Sequence, residues 1–366
     1  MWKNNYDVMI DITTRCNAGC PQCHRTDING LKKVSWLPDI NWNLETFKKA
    51  YPEDVIKNMF IADFCGTWGD PIANNNVVDM VKYIRDTNSE CRINLNTNGS
   101  IRSEEWWWNL GIIGEDKLFV VFAVEGIDQK MQQQYRQFTF LDKILKNMET
   151  LSNTKARVLS QTIVWHHNEN HLEEIEKMCI EHGSFRHHIL MTDRWGTTSE
   201  LSFTNHRGEK DVLRKAGFKI KENKTYAVQK DRKRYFKKET KLGTHEKRTI
   251  ENIRKQKTTM EIKCEWGAKN KVLVNPDGQV FPCCFFCNGA FKDKFVKKNG
   301  GKSFFSHPLM KKYLEYEKEL NVFHNNLNDI IKHKWFSTLL PNSWNTENPV
   351  MQCQKHCGKF SALNEL

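Results

Sequence analysis

No stretch of the 366-residue sequence approaches the ~20 consecutive apolar residues that a membrane-spanning helix requires. Its start is equally bare. Met1–Asp11 carries acids and amides and leads into no apolar segment of the kind a signal peptide contains. A soluble, cytoplasmic protein without membrane contact is the expectation. There is no internal repeat and, lysine richness apart, no low-complexity segment. A disulfide framework is also unexpected, because a reducing compartment does not sustain one. The twelve cysteines therefore need another explanation, and thiols at short spacings point to metal. They fall into Cys16, Cys20 and Cys23, then Cys264, then Cys283, Cys284 and Cys287, and finally Cys353 and Cys357. Cys65, Cys91 and Cys179 are scattered and read as small buried hydrophobes.

The length suffices for one large core or a core with an appended module. The net charge of +12 is concentrated. Residues 206–263 hold 20 Lys and Arg against 8 Asp and Glu, a surplus equal to that of the whole chain. Such a segment, "QKDRKRYFKKETK" included, suits an anionic partner, although charge alone carries no base reading. A solvated, partly helical insertion would look the same.

Up to about residue 190, strand-like runs alternate with helix-like ones. Strands are predicted near Asp7–Thr13, Met59–Cys65, Arg92–Asn96, Leu118–Val124, Val158–Trp165 and His187–Met191. Helices are predicted at Leu44–Ala50, Asn76–Asp86, Glu104–Leu110, Leu141–Leu151 and Leu172–His182. This alternation argues for a parallel sheet with helices outside. Six units are too few for a closed eight-stranded barrel, so the expected class is α/β, a partial (β/α)6 TIM-like barrel. Ligands of such sheets collect at the carboxyl ends of the strands. The unusual loops all fall there: the cysteine loop after strand one, "GTWGDP" after two, "NTNG" after three and "EGID" after four. Further on, "KVLV" and "QVF" joined by "NPDG" read as a hairpin. Cys264 and Cys283 flank it, and the tail Ser303–Trp335 reads as helical.

Three chemistries compete for "TTRCNAGCPQCHRT". Zinc wants four closed ligands, and Cys16, Cys20, Cys23 and His24 supply them on paper, with Cys23 and His24 inconveniently adjacent. A redox pair in "CPQC" leaves Cys16 unexplained. An iron–sulfur cubane held by three thiolates leaves one iron open, as an enzyme requires.

The C-x3-C-x2-C loop directly after the first strand resembles the signature of the radical S-adenosylmethionine (SAM) superfamily. "WGDP" (Trp68–Pro71) resembles its "GGEP" motif, "NTNG" (Asn96–Gly99) the end of its third strand, and "AVEGID" (Ala123–Asp128) the end of its fourth. The likeness covers roughly Asp7 to Met191. There are departures: Gln22 stands where an aromatic is usual, Asp70 replaces the commoner Glu, and Glu125 replaces serine or aspartate. The resemblance implies a [4Fe–4S] cluster on Cys16, Cys20 and Cys23, with SAM on its open iron. It implies Gly69 and Asp70 at the methionine end, His24 beside the adenine, and Asn96, Asn98, Glu125 and Gln161 as further SAM contacts.

The C-terminal part resembles the SPASM/twitch extensions. Cys264, then Gly278, four residues and Cys283, with Cys353 and Cys357 later, match the shorter twitch form. The C-x2-C-x5-C-x3-C run of the full SPASM pattern is missing. This implies one auxiliary [4Fe–4S] cluster on those four cysteines, with Cys284 and Cys287 competing for the second place. Three regions are expected: the barrel at 1–195, a basic insertion at 196–260 and an auxiliary-cluster domain at 261–366. A fully ligated auxiliary cluster implies an electron acceptor. The reaction is then oxidation or cross-linking of a peptide, or dehydrogenation of a sugar-like alcohol, with flavodoxin or ferredoxin as donor. Epimerisation would instead need a hydrogen donor such as Cys284 or Cys287. No peptide-binding winged-helix region precedes the first strand, which speaks against leader-dependent maturation. A zinc-stabilised nucleic-acid-binding protein is the alternative from another class.

Overall fold

The computed structural model describes residues 5–192, 194–217, 224–227, 260–296, 303–346 and 348–360. Its strands, in chain order, are β1 (Tyr6–Ile10), β2 (Met59–Phe64), β3 (Arg92–Thr97), β4 (Leu118–Ala123), β5 (Arg157–Ile163), β6 (Arg186–Leu190), β7 (Glu200–Thr204), β8 (Lys210–Arg214), β9 (Lys224–Ala227), β10 (Met260–Ile262), β11 (Lys271–Val274), β12 (Val280–Phe281) and β13 (Gly358–Phe360). One nine-stranded sheet runs β12-β11-β1-β2-β3-β4-β5-β6-β9. Within it β1 to β6 are parallel neighbours in sequence order. The predicted partial (β/α)6 array is therefore present, each strand within a few residues of its expected span.

Strand alternation sorts the side chains. Tyr6, Val8 and Ile10 of β1, Ala62 and Phe64 of β2, Ile93 and Leu95 of β3, and Leu118, Val120 and Phe122 of β4 turn outward into one core. Helices cover that core with faces spaced i, i+3, i+4, i+7. Val77–Thr87 buries Val77, Met80, Val81 and Ile84, and Leu141–Ser152 buries Leu141, Ile144, Leu145, Met148 and Leu151. Ser103 caps Glu104–Gly114 by accepting from the Trp106 N–H. The alternate residues line a polar barrel interior. There Lys271 pairs with Asp63 (3.0 Å), Asn96 donates to Asp63 (3.2 Å), and Arg92 donates to Asn94 (2.8 Å) while lying over the Phe119 ring.

The C-terminal hairpin forms as predicted, but it does not stand apart. β11 lies parallel to β1, from Asp7 opposite Lys271 to Ile10 opposite Val274, and β12 pairs antiparallel to β11. It covers the edge of β1 that the six-unit array leaves bare, and Val272 and Val274 join the main core. At the far end β9 closes β6 antiparallel. The tail between Ser303 and Trp335 is helical only in short pieces, with Pro308–Glu315 the longest.

Between barrel and hairpin, β7 and β8 form an antiparallel pair. Phe203 and Leu213 of this pair pack in one cluster with Ala18, Cys20 and Leu31, and the Thr204 N–H donates to the Ile28 carbonyl (2.8 Å). The start of the basic segment thus lies on the cysteine loop, while "QKDRKRYFKKETK" lies outside the described residues.

Candidate active site

The cysteine loop leaves β1 through Thr13 and Thr14. The Thr14 hydroxyl fixes it, donating to the Pro38 carbonyl (2.7 Å) and accepting from the Ile40 N–H (2.9 Å). From inside, the buried Arg25 guanidinium donates to the carbonyls of Ala18 (3.0 Å) and Cys16 (3.4 Å). Cys20 is buried, Cys16 and Cys23 are half-buried, and all three lie against one apolar cluster that includes Tyr135, Trp165 and Phe203. Two of the sulfurs face N–H groups. Ala18 N and Asn98 Nδ2 approach Cys16 Sγ at 3.3 and 3.7 Å, and Arg136 Nη1 approaches Cys20 Sγ at 3.7 Å. Burial raises the Cys16 thiol well above its ordinary range and pushes Cys20 up to about 11, the latter against the pull of Arg136. Three thiols on one loop, two of them held protonated by burial and already faced by N–H groups, fit a cationic metal group that would hold them as thiolates.

The "GTWGDP" loop is locked onto this loop. The buried Asp11, directly after β1, accepts from the N–H groups of Thr67 (2.8 Å) and Trp68 (3.5 Å). The Asp70 N–H donates to the Arg15 carbonyl (2.8 Å). Gly69 packs so tightly that a Cβ there would stand 2.3 Å from the Thr13 carbonyl oxygen and 2.7 Å from that of Arg15. The buried Asp70 carboxylate then ties in the third loop. It accepts from Thr97 Oγ1 (2.8 Å), Asn98 N (2.8 Å) and Asn98 Nδ2 (2.6 Å). Asn98 Nδ2 also donates to Asn17 Oδ1 (3.0 Å). Cysteine loop, "GTWGDP" and "NTNG" therefore form one hydrogen-bonded unit at the carboxyl ends of β1, β2 and β3.

Burial pushes the Asp11 carboxyl up to about 7, against the two N–H groups that favour its charged form. The ordinary value is about 4. Below about pH 4 the folded and unfolded chains both carry this proton. Between about 4 and 7 the unfolded chain gives it up first, so this group's contribution to stability falls as pH rises. The loss is a few kcal/mol, because each tenfold difference in proton affinity between the two states is worth about 1.4 kcal/mol. Asp11→Asn is therefore expected to flatten the pH dependence of urea unfolding between pH 5 and 8. Parallel curves for the two proteins would contradict this origin.

The other expected SAM contacts are placed differently from one another. His24 is exposed, its ring centroid 6.4 Å from that of Trp68. The surrounding protein, then the nearby Arg194 and Lys292 cations, lower its pKa to about 4, so the ring is neutral at pH 7. Asn96 and Gln161 are half-buried at inward registers of β3 and β5, with Asn96 engaged by Asp63. Glu125 is fully buried, and both of its oxygens are taken by Arg136, at 2.7 Å from Nε and 2.9 Å from Nη2. Arg136 and Arg25 escaped the sequence reading. Arg136 lies in "YRQF" with no motif around it, eleven residues from its partner.

At the other end of the chain, Cys264, Cys283, Cys353 and Cys357 line one cavity, walled by Pro282, Phe285, Phe286, Leu340 and Trp344. The Gly267 N–H donates to Cys264 Sγ (3.3 Å). The donor set is all sulfur in apolar surroundings, chemistry that suits an iron–sulfur group. Cys284 and Cys287 do not line this cavity. Cys287 is fully buried on the helix Cys284–Phe295, where burial and then Asp11 and Cys65 raise its pKa. Among the described residues, no group of three His, Cys, Asp or Glu side chains is arranged to hold a single ion. Cys91 and Cys179 are buried in the core as expected, while Cys65 is half-buried with its sulfur 3.2 Å from Thr67 Oγ1.

This parallel array, with its loop of three thiols at the end of β1, has the fold of radical SAM enzymes. The solved structure of Streptococcus suis SuiB bound to precursor peptide SuiA is similar over 96% of this chain and 76% of that one, at 10% identity and a TM-score of 0.54. SuiB bound to S-adenosylmethionine is similar over 96% and 72%, at 11% identity and a TM-score of 0.51. Native anSMEcpe with bound AdoMet matches at 16% identity and a TM-score of 0.41, over 50% of this chain and about half (51%) of its own length. No protein-family model matches the sequence, and no curated protein does. Among the described residues no helix is long and apolar enough to cross a membrane.

Proposed function

We propose that the protein is a radical SAM enzyme that reductively cleaves SAM to a 5′-deoxyadenosyl radical and takes hydrogen from a carbon of a peptide substrate. The observation that carries this reading is the hydrogen-bonded unit of three strand-end loops around Cys16, Cys20 and Cys23. When bound there, a [4Fe–4S] cluster supplies the electron for the cleavage. The chain's own part is to hold and orient. Gly69 offers backbone groups to the methionine end, Asp70 and Asn98 keep that loop against the thiolates, and neutral His24 flanks the adenine. Asn96 and Gln161 face the interior where ribose and substrate meet.

Cys264, Cys283, Cys353 and Cys357 would hold a second [4Fe–4S] cluster. Four thiolates leave no iron for substrate, which supports a role in accepting the electron released on oxidation. The product is then a dehydrogenated or cross-linked residue, with flavodoxin or ferredoxin as electron donor. A peptide is preferred to a sugar-like alcohol because SuiB, similar in fold, has been solved with its precursor peptide. Epimerisation is the second reading, favoured by the buried Cys287 thiol beside Asp11 and Cys65.

Anaerobic reconstitution should give a brown protein with about eight irons per chain, as two cubanes require. Dithionite and SAM should then yield 5′-deoxyadenosine, carrying deuterium when the peptide is labelled at the attacked carbon. A colourless protein with stoichiometric zinc would sink the proposal. Solvent deuterium entering the peptide without oxidation would favour epimerisation.

A further inference from the structure

Glu125 and Arg136 form an ion pair that the proposed chemistry does not use. Glu125 lies at the end of the fourth strand, in the register where SAM contacts are expected, yet both its oxygens are spent on Arg136 Nε (2.7 Å) and Nη2 (2.9 Å). The carboxylate is 0% exposed and the guanidinium side chain 15%. The pair is itself braced. The Glu125 N–H donates to Gln132 Oε1 (2.8 Å), and Asn168 Nδ2 donates to the Glu125 carbonyl (3.0 Å). A side-on carboxylate takes two of the five guanidinium N–H groups and fixes the plane of the fork. The free arm, Nη1, is thereby aimed at Cys20 Sγ, 3.7 Å away.

We propose that Arg136, held by Glu125, is a positioning residue that sets the reduction potential of the cluster carried by Cys16, Cys20 and Cys23. The inference rests on that cluster being present. Reduction adds negative charge to the cluster and its thiolates. A buried cation donating to one of those sulfurs stabilises the reduced form more than the oxidised one and raises the potential. Arginine suits the task because it stays charged when buried. Glu125 acts in the opposite sense electrostatically, as an anion behind the guanidinium, while supplying the orientation. The two residues therefore have opposite predicted signs, which simple loss of packing does not produce.

The test is a redox titration of the anaerobically reconstituted full chain, followed by electron paramagnetic resonance. The first cluster is recognised as the signal that changes on adding SAM. Arg136→Gln should shift its midpoint to more negative potential. Glu125→Gln keeps an amide oxygen to orient Arg136 and should shift the midpoint to more positive potential. Arg136→Lys should fall between wild type and Arg136→Gln, and it carries the test if Arg136→Gln does not fold. Unchanged midpoints in variants that keep their iron, or shifts of the same sign for Glu125→Gln and the Arg136 variants, would overturn the inference while leaving the SAM reading intact. A wild-type chain that takes up no iron, or whose signal ignores SAM, would overturn both.

Discussion

A chain carrying Cys16→Ala, Cys20→Ala and Cys23→Ala together is expected to lose all SAM cleavage and about half its iron, keeping about four atoms of roughly eight. The expectation rests on the separation of the two thiol sets. One lies on a single loop after β1, and the other lines a cavity built from Cys264, Cys283, Cys353 and Cys357. The loop itself should survive. Its shape is set by Thr14 on Pro38 and Ile40 and by Arg25 on the Ala18 and Cys16 carbonyls, bonds that sulfur does not make. The complementary variant, with the four auxiliary cysteines changed to alanine, should keep the SAM-responsive signal and still cleave SAM without substrate, while losing turnover. Loss of all iron from the first variant would mean that the two sets do not act as separate sites. Iron analysis and the yield of 5′-deoxyadenosine decide between these outcomes.

The strands and helices of the barrel were legible because each carries its own period. The stretch "VVDMVKYIRDT" repeats apolar residues at helical spacing, and "YDVMI" alternates, so each element's buried face is written locally. The site was legible for a related reason. Parallel strand–helix units send every second loop to one edge, so four odd loops after four strands had to converge. What the sequence concealed are pairings between distant segments. Nothing in "KVLV" announces that it lies beside β1; that depends on which sheet edge is bare. Glu125 was expected at a ligand because "AVEGID" resembles the end of the family's fourth strand. The competing partner, Arg136, comes from the segment after it, and a bidentate ion pair leaves no periodic trace. The same holds for Arg25, whose bonds go to backbone carbonyls that any residue could supply. The four auxiliary cysteines were grouped by the resemblance to the twitch pattern, and the cavity they line includes Cys283 but not Cys284 or Cys287. The helix beginning at Cys284 carries those two elsewhere.

Gly69→Ala is expected to weaken SAM binding about ten- to a hundredfold, which corresponds to ~1–3 kcal/mol of overpacking, while leaving the iron content unchanged. The added methyl would meet the Thr13 carbonyl oxygen at 2.3 Å, the Arg15 carbonyl oxygen at 2.7 Å and the Thr13 carbonyl carbon at 2.8 Å. All three are backbone atoms, so no rotamer change relieves the clash. The two loops must part by about 1 Å to reach ordinary contact. That movement strains the bond from the Asp70 N–H to the Arg15 carbonyl, and through Asp70 it loosens Asn98 from Asn17 and Cys16. A displacement of that size between groups that orient a reactant is enough to cost about a hundredfold in rate, so SAM cleavage should fall further than affinity alone predicts. Gly208→Ala is the control. Gly208 has φ +84° but nothing within 4 Å of the added methyl, so it should cost about 1 kcal/mol of stability through backbone strain and leave SAM binding untouched. Equal effects of the two substitutions would mean that the tight seam between the "GTWGDP" loop and the cysteine loop plays no part in forming the site.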